Sequence, residues 1–449
     1  MSTSFDNIKS AVRAAADTLG VTEYEIYYTE GEELSVETLG SEISSFSSGA
    51  SRGLCLRVGY EGKMGYASSE LVSEEEIRAL FVRALENASA TEKEDDVGIF
   101  SGGESYKLLS CMPYAPYSAS RLKEIALSIS DAMYSHSGNV KEGSTASALS
   151  SGYAVRLYNS HGLSLECSGG VNAVTAGAVI ETDKGAESAY EVRLLDSNTD
   201  PRDVAVYAVD TALSKTGADF VASGKYDIII DSRRMRSLLA AFSSVFSARA
   251  AQMGMSLLRG KVGERIASEA VTITDDPMRD GVPVITNFDA EGVPACRKTV
   301  VERGILKTLL HNRETAKKDG VKSTGNASKS GYSAPISVSP YAFCIEAGEY
   351  SFAGLLSLLG EGILITDIKG LHAGASAVTG DFSLECAGFG VSGGRKGGAL
   401  KSFTIAGNFF ELLKAVEALS DRVELGVSGS FTVFGSPDVL VRGVTVSGK

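Results

Sequence analysis

The residues able to do acid–base, nucleophilic or metal chemistry are few and scattered. The 449-residue chain holds four histidines, His136, His161, His311 and His372, and no two are close enough to share a helix face. A zinc site needs three or four ligands, and helical sites commonly take two of them from positions i and i+4. The six cysteines, Cys55, Cys111, Cys167, Cys296, Cys344 and Cys386, contain no CxxC pair and read as reduced thiols. Residues 388–394, GFGVSGG, satisfy the G-x-G-x-x-G of dinucleotide sites and also the G-x-S-x-G that would make Ser392 a nucleophile. Both patterns require a helix to open there, and the following Arg395-Lys396-Gly397-Gly398 would break one. A Gly-rich strand end or loop is therefore expected. Asp275 and Asp276 precede Pro277 and are accounted for by turn chemistry; as a general-base or cation pair they lack a third partner. Arg395 and Lys396 could grip a carboxylate or a peptide terminus, but a solvated loop is the simpler reading.

The elements that would position chemistry are clearer. In the stretch 225–277 a β-branched strand at 226–230 runs through Asp231 and Ser232, both good N-caps, into a helix. Its apolar residues Met235, Leu238, Leu239, Phe242, Val245 and Phe246 recur three and four apart, with Ser and Arg on the other side. This is a common place to mount an active site, yet no His, Cys or carboxylate lies between Ser232 and Gly263. Upstream, helices are expected at the N-terminus, at 73–88, where Ser73 and Glu76 form a capping-box pattern, at 118–134 and at 201–215. Short strands fill the intervals, and Glu61-Gly62 marks a hairpin. The pattern predicts an α+β fold in three blocks, 1–105, 106–220 and 221–449, the first two sharing one domain and the last strand-rich. Residues 320–335 are nearly free of apolar side chains, the signature of a functional or mobile loop.

Composition narrows the function classes. A net charge of −13 argues against phosphate-backbone binding and against an anionic membrane surface. No stretch approaches the roughly 18 apolar residues of a membrane span, and the charged N-terminal stretch lacks a signal peptide's apolar core. A cytoplasmic location is expected.

Five segments then carry a resemblance: 260–277 (GKVGERIASEAVTITDDP), 289–306 (DAEGVPACRKTVVERGIL), 315–327 (TAKKDGVKSTGNA), 370–389 (GLHAGASAVTGDFSLECAGF) and 435–449 (GSPDVLVRGVTVSGK). In this order they resemble the TldD/PmbA family, also called modulators of DNA gyrase, over essentially the whole chain. The resemblance implies a heteromeric metallopeptidase that processes peptides. In its TldD branch a helix carries His-Glu-x-x-x-His, and a Cys near the C-terminus completes the metal site. Counting back from Gly263-Glu264 puts that hexapeptide on Leu239-Ala240-Ala241-Phe242-Ser243-Ser244, so the two His positions are Leu239 and Ser244 and the Glu position is Ala240. The Cys region corresponds to 426–430, GVSGS. Leucine and alanine can neither ligate zinc nor relay a proton.

The chain thus resembles the PmbA (TldE) branch, which implies a subunit without catalytic or metal residues of its own. Zinc is expected in a TldD-like homologous partner, and an unfolded peptide is the expected substrate, held by strand addition at a free sheet edge. A homodimer is an accompanying expectation. The alternatives are a free-standing peptide-binding or chaperone-like regulator, or a hydrolase with an unrecognised site such as Ser392.

Overall fold

The computed structural model describes residues 4–92, 97–103, 105–107, 114–196, 199–282, 286–427 and 432–449. Cys111, residues 283–285 of the strand expected at 282–288, part of the polar stretch at 91–105 and residues 428–430 of the expected Cys region lie outside them. The fold is α+β.

The first sheet is antiparallel throughout, in the order Lys63–Ser69, Glu42–Tyr60, Tyr24–Leu39, Thr145–Asn159, Ser164–Thr182, Gly185–Leu194. One face is covered by four helices, Phe5–Leu19, Glu74–Ala90, Ala119–His136 and Asp203–Lys215. The side chains of Ser4, Ser73 and Ser118 cap the first three by accepting a backbone N–H of the first turn. The stripe Leu122, Ile125, Ile129 and Met133 packs on Ala146, Ala148, Val174, Ala176 and Ala178, where small strand residues admit the helix closely. Sequence reading divides this sheet into shorter strands, with breaks near residues 30–33, 48–52 and 170–172. The structure runs each pair together, because Gly31 pairs with Ser51 and Glu33 with Gly49 across an unbroken ladder. Backbone pairing needs no apolar side chain, so polarity there marks a solvated face and not a turn.

In the second half of the chain a sheet runs in the order Arg395–Asn408, Asp381–Ser392, Gly362–Lys369, Gly224–Ile230, Val439–Ser447, Val416–Leu419. Thr404 and Ile405 also pair with Ser447 and Val446, which closes five of these strands into a ring. A further sheet runs Ile305–Leu306, Lys298–Glu302, Ile273–Asp275, Ala342–Ile345, Val433–Ser436, Glu424–Val427. Between the two lies the helix Ser232–Phe242, burying Met235, Leu238, Leu239 and Phe242 in a core that includes Phe343, Phe403 and Phe409. Phe242 stacks on Phe409 with ring centroids 4.5 Å apart.

Two helices end earlier than their apolar stripes suggest. The first stops at Phe242, continues as a 3₁₀ turn over Ser243–Phe246, and restarts at Ala248–Gln252. Ser247 is extended, and Ala248 donates its N–H to the carbonyl of Leu310, so a tertiary bond replaces the helical one. The other covers Phe409–Lys414 only, and Val416–Leu419 pairs as a strand with Val439–Ser447.

Candidate functional site

The outward side of the Ser232–Phe242 helix is polar because the apolar stripe fixes the inward side. Asp231 caps it, its Oδ1 accepting the N–H of Arg233 at 2.8 Å. Arg233, Arg234 and Arg236 then project into a cleft of about 280 Å³ flanked by two sheet edges, Gly185–Leu194 of the first sheet and Glu424–Val427 of the last. Arg233 pairs with Glu191 and, at 2.6 Å, with Glu424, and its guanidinium lies 4.6 Å from the Tyr207 ring centroid. Arg234 donates to the carbonyl of Thr366 at 2.8 Å. Arg236 donates to the carbonyl of Leu425 at 2.7 Å. Burial lowers the affinity of Arg236 for its proton, Glu424 opposes this, and Arg233 and Arg234 reinforce it.

The helix that carries Leu239–Phe242 packs on the strand Glu424–Val427, which holds the start of the stretch that the family resemblance assigns to the Cys ligand. The residues present do not fit zinc. Leu239 is 0% exposed and lies wholly in the core, Ala240 has no donor atom, and Ser244 sits exposed on the 3₁₀ turn beyond the helix end. Where the helix faces Gly426, the space is taken by the fixed positive charge of Arg236. Among the described residues, no group of three His, Cys, Asp or Glu is placed to hold a metal ion.

The other sequence candidates separate. Residues 388–394 end a strand and enter the hairpin turn at Gly393 and Gly394, both in the left-handed region, and no helix opens there. Ser392 Oγ donates to Glu361 at 3.0 Å. His136 contacts Asp210 at 2.8 Å, while His311 is buried in front of the helix Arg313–Asp319. Arg395 and Lys396 are exposed, with the Lys396 ammonium over the Phe389 ring. Asp276 fits the expected turn, accepting the N–H of Met278 at 3.0 Å. Asp275 corrects it: fully buried in a strand, it accepts the N–H groups of Tyr341 and Ala342, the Lys298 ammonium at 3.0 Å and the Asn326 amide at 2.8 Å.

That network explains several of the motif segments. Asn326 also accepts from Lys298 at 3.0 Å and donates to the carbonyl of Ser339. Asp289 accepts from Glu291, Val293 and Ala327, and Glu291 from the N–H of Arg313. Together they pin the polar stretch 320–335 against the first sheet, where Tyr332 lies over Gly53 and the Lys329 ammonium sits 5.3 Å from the Tyr27 ring centroid. Burial lowers the Lys329 value and raises that of Tyr27. Sequence reading missed this network and the arginine cluster. The only available signal for either was the run of polar residues in otherwise apolar or glycine-rich surroundings.

Comparison with known proteins assigns the whole arrangement. Models of the PmbA/TldA metallopeptidase family match as domain 1 over residues 24–88, central domain over 113–216 and C-terminal domain over 223–448. An uncharacterised protein of Methanocaldococcus jannaschii is 29% identical over 95% of this chain and 96% of its own length. Metalloprotease PmbA of Escherichia coli is 23% identical over 93% and 91%. A Thermotoga maritima structure described as a modulator of a DNA gyrase superposes with a TM-score of 0.89 at 28% identity, covering 99% of this chain and 100% of that one. TldE of Thermococcus kodakarensis shares the fold, with a TM-score of 0.88 at 22% identity over 98% and 99%.

Proposed function

Since the chain belongs to the PmbA/TldA metallopeptidase family, we propose that it is a subunit that does not cleave peptides itself and serves a TldD-like homologous subunit carrying the zinc. The observation that supports this is the content of the motif position: a core leucine, an alanine and a surface serine, with Arg236 beside them. A half-buried guanidinium repels a divalent cation and has no lone pair to ligate it.

In this reading the chain contributes walls and sheet edges to a groove that admits an unfolded peptide. The edge strand Gly185–Leu194 supports that role. It presents Tyr190, Val192 and Leu194 outward on alternate positions, and among the described residues no strand pairs with its outer side. Strand addition there would be tolerant of sequence. No helix among the described residues is long and apolar enough to cross a membrane.

The test is co-expression with a TldD-like subunit, followed by co-purification and a peptide-hydrolysis assay. Activity that requires both chains supports the proposal. Full activity from the partner alone, without co-purification, overturns it and favours a free-standing peptide-binding regulator.

A further inference from the structure

Side chains alternate along a strand, so the first sheet has two faces of different kind. Ile26, Tyr28, Leu54 and Leu56 turn to the helices. Tyr27 stands opposite Cys55 and Leu157, and Val155, two residues from Leu157, stands opposite Cys167, so these side chains turn the other way. Phe288 packs on this second face. The stretch from Ala327 to Tyr341 crosses it too, held by the short ladder of Ala327–Ser328 with Ser337–Val338. A cavity of about 550 Å³ remains between sheet and cover, its lining including Tyr27, Val155, Phe288, Lys329, Val338 and Tyr341. It shares no lining residue with the arginine cleft, and its size suits a small molecule.

The unbalanced charge of this cavity is that of Lys329. Its ammonium lies 5.3 Å from the Tyr27 ring centroid, and no carboxylate pairs with it among the described residues. Glu25, on the same face of the sheet, is bonded to Arg57 at 2.9 Å, so its charge is already balanced where Lys329 meets it. A ring face offsets only part of what a desolvated ammonium loses. The hydroxyl of Tyr341 is buried and has no hydrogen-bond partner among the described residues. Burial raises the values of Tyr27 and Tyr341, which keeps both as O–H donors. Asp289 also lines the cavity, but its two oxygens accept the N–H groups of Glu291, Val293 and Ala327, and burial makes it hold its proton more readily than a free carboxyl does. What the site lacks is an anion that accepts hydrogen bonds.

We propose that this cavity binds a carboxylate, either of a small apolar acid or of a short peptide's C-terminus. The carboxylate lies on the Lys329 ammonium, with the Tyr27 and Tyr341 hydroxyls as further donors, and the apolar part of the ligand lies against Val155, Phe288 and Val338. The hydrogen bonds of Asp289 and Asn326 fix the cover before any ligand arrives, so little ordering is left for binding to do. The site stands whether or not the chain serves a peptidase, because its test reads binding and not hydrolysis.

Full-length protein is titrated calorimetrically with 3-phenylpropionate, with a tripeptide ending in phenylalanine, and with the amide of each. At least one acid should bind saturably, and its amide at least about tenfold more weakly. Tighter binding of 3-phenylpropionate assigns the site to a free acid, and tighter binding of the tripeptide assigns it to a peptide terminus; either supports the proposal. Lys329→Met should lower the affinity for the acid by at least about tenfold. Its thermal unfolding midpoint should stay at or above that of the wild type, because an uncompensated charge has been removed, and a merely structural lysine would not behave so. Tyr341→Phe keeps the ring and should weaken binding of the acid several-fold. No saturable binding of either acid at millimolar concentration, equal binding of acid and amide, or full affinity in Lys329→Met would each overturn the proposal.

Discussion

The guanidinium of Arg236 covers the backbone of Gly426, with Nη1 bonded to the neighbouring Leu425 carbonyl at 2.7 Å. A Cβ built on Gly426 would run into the guanidinium carbon. A side chain at 426 would therefore have to displace the guanidinium that bridges the helix Ser232–Phe242 and the edge strand Glu424–Val427.

Gly426→Val should lower stability by about 1–3 kcal/mol, the usual range for overpacking. Arg236→Ala in the same chain should recover part of that loss, because the clash and its partner are removed together. Urea unfolding of the two single variants and the double variant measures the coupling. Strict additivity would show that the two residues do not touch.

Restoring the metal motif by Leu239→His, Ala240→Glu and Ser244→His should fail to give stoichiometric zinc. Leu239 is fully buried, so its replacement alone should cost at least about 2 kcal/mol before any metal is considered. Elemental analysis and thermal unfolding are the readouts, and one zinc per chain would refute the placement of Leu239.

Lys298→Met should be among the most damaging single changes away from the apolar core. It leaves the fully buried Asp275 carboxylate without its cation, a loss of about 3–5 kcal/mol for broken buried pairs. Because Asn326 bonds both members, the stretch 320–335 should loosen as well, seen as faster proteolysis within it.

Stability should also depend on pH through Asp289. Burial, and then the nearby Glu291, raise its value above the ordinary 3.8, while three backbone N–H donors pull the other way without cancelling the shift. The folded chain thus holds a proton that the unfolded chain releases, so this contribution is fully present below about pH 4 and is lost as pH rises through the folded value. Glu291→Gln keeps an oxygen for the N–H of Arg313 and removes one repelling charge. It should flatten the fall in unfolding free energy between pH 5 and pH 8, and an unchanged slope would assign the effect elsewhere.

The α+β class, the capped helices and the Glu61-Gly62 hairpin were legible in the sequence because each rests on local chemistry. Strand length was not, since Gly31, Glu33 and Ser48 carry no apolar signal although their backbones pair without a break. The end of the helix at Phe242 was hidden for a different reason: Val245 and Phe246 keep the apolar spacing, and only the tertiary bond from Ala248 to Leu310 ends it. At the candidate site, residue types at Leu239, Ala240 and Ser244 were readable directly. The meeting of Asp275, Lys298 and Asn326 required three separate segments to be folded together, which no spacing rule encodes.

The strand Gly224–Ile230 has its neighbours at Gly362–Lys369 and Val439–Ser447, and the latter also closes the ring. On the ribosome this strand must therefore wait, with Ile228, Ile229 and Ile230 uncovered, until Val439–Ser447, some two hundred residues later, has left the exit tunnel. The sheet around Gly224–Ile230 cannot be completed stepwise as the chain emerges, and a stop codon just before Val439 would release a chain with an open, aggregation-prone seam.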